Sequence, residues 1–89
     1  MAPDRNAIEQ AIKAKIVEIA DQLGEDARAL THDELIPATG LIDSAGLLQL
    51  LAWYEHRFQI PLAQDEITVD NLGTIATMAG FALKKKGSL

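Results

Sequence analysis

Two adjacent residues, Asp43 and Ser44, hold the chemistry this chain has to offer. They end the run Gly40-Leu41-Ile42-Asp43-Ser44, which closes a polar stretch punctuated by Pro37 and Gly40. Ala45-Gly46-Leu47-Leu48-Gln49-Leu50-Leu51-Ala52-Trp53-Tyr54 follows directly and reads as an apolar helix. Ser44 is therefore expected where a loop becomes a helix. There its hydroxyl lies among backbone N–H groups without partners, at the positive end of the helix dipole. Such a place favours an anion, above all a phosphate. Two readings of the serine stand side by side. It is an N-cap, as Asp and Ser before an apolar run ordinarily are, or it is the point at which a phosphate-linked group is attached.

Other constellations fail on spacing. His32, Asp33 and Glu34 are consecutive and point apart, whereas metal ligation needs converging donors, such as histidines at i and i+4. His56, flanked by Glu55 and Arg57, reads as part of a solvated surface. Gly40 and Gly46 lack the spacing and the lysine of a phosphate-binding loop. No nucleophile, base and orienting group can be assembled, so the chain is expected not to be an enzyme and to hold no metal. The absence of cysteine removes disulfides, thiolate zinc sites and cysteine nucleophiles together.

Charge and composition narrow the partners. A formal net charge of −5 repels nucleic acid over most of the surface and steers basic partners towards it. Lys84-Lys85-Lys86 reads as the solubilising, dipole-complementing end of a helix. The apolar stretches fall far below the roughly 20 residues of a membrane span. Met1-Ala2-Pro3-Asp4-Arg5-Asn6 has no charged-then-apolar signal pattern, so a cytoplasmic, monomeric chain without a membrane span is expected. Its 89 residues predict a single domain over 1–89, ordered from about residue 6 to about residue 86.

The elements that must position Ser44 are helical. Ile8, Ile12, Ile16, Ile19, Ala20 and Leu23 recur at spacings of three and four, predicting a helix from Asn6 to Leu23. Asn6 and Glu9 suggest a capping box and Gly24 a stop. From Glu25 to Ile42 no long period survives; such a loop is uncommon in a compact domain and usually functional. The pairs Ala29-Leu30 and Leu35-Ile36 are expected to pin it. A second helix is predicted from Ser44 to Phe58, with Leu47, Leu50, Leu51, Tyr54 and Phe58 on one stripe. Its first half is apolar nearly all round, which one buried face does not explain. A short helical turn over Ala63–Ile67 follows, then a last helix from near Asn71–Thr74 to about Lys85, with Leu72, Ile75, Met78, Ala79, Ala82 and Leu83 inward. The fold class is all-α: a small four-helix bundle of three main helices and one short helix, with a long loop between helices one and two.

A simple cap needs neither a long ordered loop before it nor a helix that opens apolar on its outward side. A docking surface needs both. Ala45, Leu47, Leu48 and Trp53 are the candidates for partner contact, although Leu47 and Trp53 read equally well as core.

With these features the chain resembles the acyl carrier protein family. The likeness runs from about Ile8 to Lys85 and includes the helix order, the long first loop, Gly-Leu-Ile-Asp-Ser opening helix two, and the exit Phe58-Gln59-Ile60-Pro61. In that family the serine after the aspartate receives 4′-phosphopantetheine from coenzyme A. The resemblance implies that Ser44 is the attachment residue and that Asp43 caps the helix or faces the modifying transferase. The arm's thiol would hold an acyl or aminoacyl cargo as a thioester. The implied partners are a phosphopantetheinyl transferase, an acyl- or aminoacyl-activating ligase, and a downstream transferase or synthase of lipid or secondary-metabolite biosynthesis. Fatty-acid carriers follow Asp-Ser with Leu or Met and line helix two with acids. Here Ala45 and Gly46 follow, and Glu55 is the one acid of that helix, a pattern closer to the D-alanyl and other specialised carriers. The alternative is an unmodified helical interaction module in which Ser44 is only an N-cap.

Overall fold

The computed structural model describes residues 4–87. The ends of the expected 1–89 domain, and the first three residues read for a signal pattern, lie outside the described residues. Five α-helices and one 3-10 turn make up the regular structure of the described residues: α1 (Arg5–Gln22), α2 (Ile36–Thr39), α3 (Ser44–Phe58), the 3-10 turn Gln64–Glu66, α4 (Val69–Leu72) and α5 (Ile75–Gly87). The architecture is the expected small all-helical bundle with three long helices; α2 and the separation of α4 from α5 are additions to it.

In α1 the isoleucines at three- and four-residue spacing are all buried, with Ala20 beside them. Leu23, expected on the same face, is the C-cap residue and 44% exposed, because the helix has ended before it. The expected Asn6–Glu9 box is also corrected. The cap is Asp4, whose carboxylate accepts from the Ala7 N–H at 2.7 Å, while Glu9 faces Arg5 and His32 instead. Gly24 ends the helix as expected. At φ +79° it takes the left-handed conformation that lets the Glu25 N–H reach Ala20 O and its own N–H reach Asp21 O.

The long loop is ordered by one member of each expected pair. Leu30 and Ile36 are buried, whereas Ala29 and Leu35 are exposed; Ala27 and Ile42 complete the anchoring. Backbone bonds then join loop to bundle: Ile36 N–H to Gly73 O at 2.8 Å, and Ala76 N–H to His32 O at 3.0 Å. Lys13 Nζ donates to Leu30 O at 2.6 Å.

α1 packs against both α3 and α5. From α3 the core receives Leu50, Tyr54 and Phe58. From the last segment it receives Leu72, Ile75, Met78, Ala79 and Ala82. The Tyr54 hydroxyl donates to Met78 O at 2.7 Å, so this buried polar group is satisfied where α3 meets α5. The last helix, expected to begin near Asn71–Thr74, begins at Ile75, and the short α4 precedes it across Gly73-Thr74. There Thr74 and Thr77 satisfy each other's N–H groups through their hydroxyls at 3.0–3.1 Å, giving α5 its own start.

Candidate functional site

The start of α3 divides its duties between neighbours. Asp43 is the N-cap, in extended conformation, and its Oδ1 accepts from the Gly46 N–H at 2.7 Å. Its carbonyl accepts from the Leu47 N–H at 2.8 Å, the first bond of the helix. Ser44 is thus the first helical residue rather than the cap. Its side chain is exposed, and its hydroxyl makes no hydrogen bond among the described residues. The N–H groups of Ser44 and Ala45 are equally without partners there, so two donors and the dipole remain open beside the hydroxyl.

The approach to Ser44 is held firmly. Thr39 Oγ1 donates to Ile36 O at 2.7 Å and accepts from the Leu41 N–H at 3.2 Å. Gly40, at φ +73°, turns the chain, and Ile42 is buried two residues before the serine. Gly46 presses the first turn onto α1: a Cβ on it would lie 3.0 Å from Ile19 Cγ2.

The outward side of α3 is largely neutral. Its first turn holds no acidic residue, Ala45, Gln49 and Ala52 are exposed, and Leu48 is 69% exposed. Leu47 and Trp53 are half-buried against the core, and Trp53 meets the Phe58 ring edge-on at 5.7 Å between centroids. The other candidates do not join the site. His32 Nδ1 lies 3.5 Å from Glu9 Oε2, and the Glu34 carboxylate accepts from the Thr31 N–H at 2.8 Å. Among the described residues no three His, Asp or Glu side chains converge.

Residues outside the sequence-based set extend the apolar surface. Pro37, Leu51, Ile67, Val69 and Leu72, together with the expected Leu47, line a cleft of about 160 Å³ beside α3. Val69 and Ile67 are 58% and 46% exposed. The signal available in the sequence was weak: two apolar residues flanking Thr68, in a segment too short to show a period.

The chain is 34% identical over 64 residues to the D-alanyl carrier protein of Streptococcus gordonii, covering 71% of this chain and 80% of the relative. No protein-family model matches the chain, and no solved structure matches it. Fold and likeness together define a small helical carrier protein, a class that presents cargo and does not itself catalyse. The chain belongs to the acyl carrier protein family, on the side of the D-alanyl carriers. It is not an enzyme. Among the described residues no helix is long and apolar enough to cross a membrane.

Proposed function

We propose that this chain carries an acyl or aminoacyl group on a 4′-phosphopantetheine arm joined to Ser44. The observation that carries the reading is the Ser44 hydroxyl: exposed, unbonded, and relieved of capping by Asp43. The residues present fit the group. Ser44 Oγ would form the new O–P bond to the phosphopantetheinyl phosphate of coenzyme A as the pyrophosphate P–O bond breaks, with adenosine 3′,5′-bisphosphate leaving and the hydroxyl proton passing to the transferase; the open N–H groups of Ser44 and Ala45, with the helix dipole, favour the negative charge of the phosphodiester. When bound, the arm supplies the thiol this cysteine-free chain lacks and holds the cargo as a thioester. Asp43 keeps the first turn closed around its own carboxylate and lies next to the position a modifying transferase must reach.

The relative's name points to D-alanine as the cargo to try first. On this reading a dedicated ligase activates and loads the cargo, and a downstream transferase or synthase receives it. Tethering raises the effective concentration of the cargo at each enzyme. Ala45 and Leu48 form the exposed part of the docking surface, with Leu47 and Trp53 at its half-buried margin. The protein works as a cytoplasmic monomer. The reading in which Ser44 serves only as a cap loses its support, because Asp43 occupies that role.

The test is the intact mass of the chain after incubation with coenzyme A and a promiscuous phosphopantetheinyl transferase. One phosphopantetheine is expected on the wild type and none on Ser44→Ala. An unmodified wild type with several transferases, or a modified Ser44→Ala, would refute the assignment.

A further inference from the structure

Gly46 packs closely against α1, within the turn that holds Ser44. A Cβ there would lie 3.0 Å from Ile19 Cγ2, 3.3 Å from Ile42 Cβ and 3.3 Å from Asp43 Oδ1. The first atom belongs to the packed face of α1, the second to the buried end of the long loop, and the third to the cap itself. Ile19 is 1% exposed and Ile42 6%, so both neighbours of that Cβ are packed core side chains that would have to shift by a few tenths of an ångström to accept it. The same glycine gives its N–H to Asp43 Oδ1 at 2.7 Å. Nothing about the helix itself asks for glycine at this position, since alanine is the better helix former. What does ask for it is the separation between the first turn of α3 and α1.

We propose that Gly46 is a positioning residue for Ser44: its missing side chain seats the first turn of α3 on Ile19 and so fixes where the serine hydroxyl stands for transfer of the phosphopantetheine group. This rests on the carrier reading of Ser44 and adds to it. A methyl at position 46 forces the turn outward by a few tenths of an ångström or tilts it, carrying Ser44 with it. Reactions that depend on in-line approach to a fixed hydroxyl are sensitive to displacements of that order.

The test uses the full chain as wild type, Gly46→Ala, Ile19→Ala and the double variant Ile19→Ala/Gly46→Ala, with coenzyme A and a phosphopantetheinyl transferase. Gly46→Ala is expected to be modified about tenfold more slowly, in kcat rather than KM, with its helicity retained. The double variant removes Ile19 Cγ2, so it regains most of the rate although it melts below the wild type. A glycine needed for stability alone predicts the opposite order, with rate following melting temperature and the double variant slowest. That order, an unfolded Gly46→Ala chain, or a Gly46→Ala chain modified at the wild-type rate overturns the inference.

Residual dipolar couplings of the Ser44, Ala45 and Gly46 amides supply a readout that needs no modification. They are expected to change in Gly46→Ala and to return in the double variant, and unchanged couplings refute the positioning role. If the wild type takes up no phosphopantetheine, the carrier-arm reading fails, and these couplings still decide whether Gly46 sets the place of Ser44.

Discussion

Asp43 separates capping from recognition if it is changed in two ways. Asp43→Ala removes a part-buried hydrogen bond of 2.7 Å to the Gly46 N–H. Loss of an N-cap of this kind costs about 1 kcal/mol. In a domain of this length that corresponds to a fall in melting temperature of about 4–8 °C. Asp43→Asn keeps an equally good cap and loses only the interaction of the charge with the helix dipole, about 0.5 kcal/mol at an exposed position. The order of stability is therefore wild type, then Asn by a small margin, then Ala, measured by thermal melts followed at 222 nm. An Asn variant as unstable as Ala would refute the cap argument, as would an Ala variant as stable as the wild type.

The same pair then reports on modification. If Asp43 acts only through the cap, the rate of phosphopantetheine uptake follows stability, and Asn is modified almost as fast as the wild type. If the carboxylate also meets the transferase, Asn restores the melting temperature and not the rate. Both outcomes are read by intact mass on the samples used for melting, so stability and recognition are compared within one preparation.

Four further outcomes follow from three other residues. Leu48→Glu, at a 69% exposed position, should change stability by less than about 0.5 kcal/mol and leave circular dichroism unchanged, while slowing transfer to and from partner enzymes; unchanged transfer would exclude Leu48 from docking. Tyr54→Phe removes the hydroxyl that donates to Met78 O and should cost about 0.5–1.5 kcal/mol in denaturant titrations. Burial pushes the Tyr54 phenol up, so its contribution is complete below the ordinary value of 10.0 and is lost as pH rises above it; tyrosinate absorbance should appear only with alkaline unfolding. The Lys85 ammonium, followed by the Ala63 N–H, holds the Glu66 carboxyl below its ordinary value of 4.5. That contribution is present above the ordinary value and is lost as pH falls through the lowered one; Lys85→Gln should move the Glu66 titration upward by carboxyl NMR.

What the sequence disclosed, and what it did not, follows from the range of the forces involved. The bounds of α3 were legible because a polar pair precedes a sustained apolar run and Gln59-Ile60-Pro61 follows it. The stop at Gly24 was legible because a left-handed turn residue leaves a clear mark. α2 was not, since four residues are too few to show a period and Leu35-Ile36 resembled a simple anchor. The start of α5 was legible to within a few residues, but α4 was hidden as well: Leu72 and Ile75 keep helical spacing across Gly73 and Thr74, so the sequence does not show that Leu72 belongs to a separate turn capped by Thr68. At the site, position 44 could be read, but its role could not. Asp and Ser are both good caps, and which of them takes the N–H of the third helical residue depends on the backbone conformation at Asp43, φ −89° and ψ −175°.

That allocation matters for a residue proposed to be esterified. If Ser44 were the cap, its oxygen would serve the helix and the attached group at once, and each modification would weaken the start of α3. With Asp43 as the cap, the bond to the Gly46 N–H is independent of what Ser44 carries. The first turn is closed by that bond, and Gly46 seats it against Ile19 of α1 and against Ile42. A carrier that meets one enzyme to receive its arm, another to be loaded and a third to be unloaded must present the same surface to each. One residue's separation between cap and attachment point is the smallest change in a helix start that provides this.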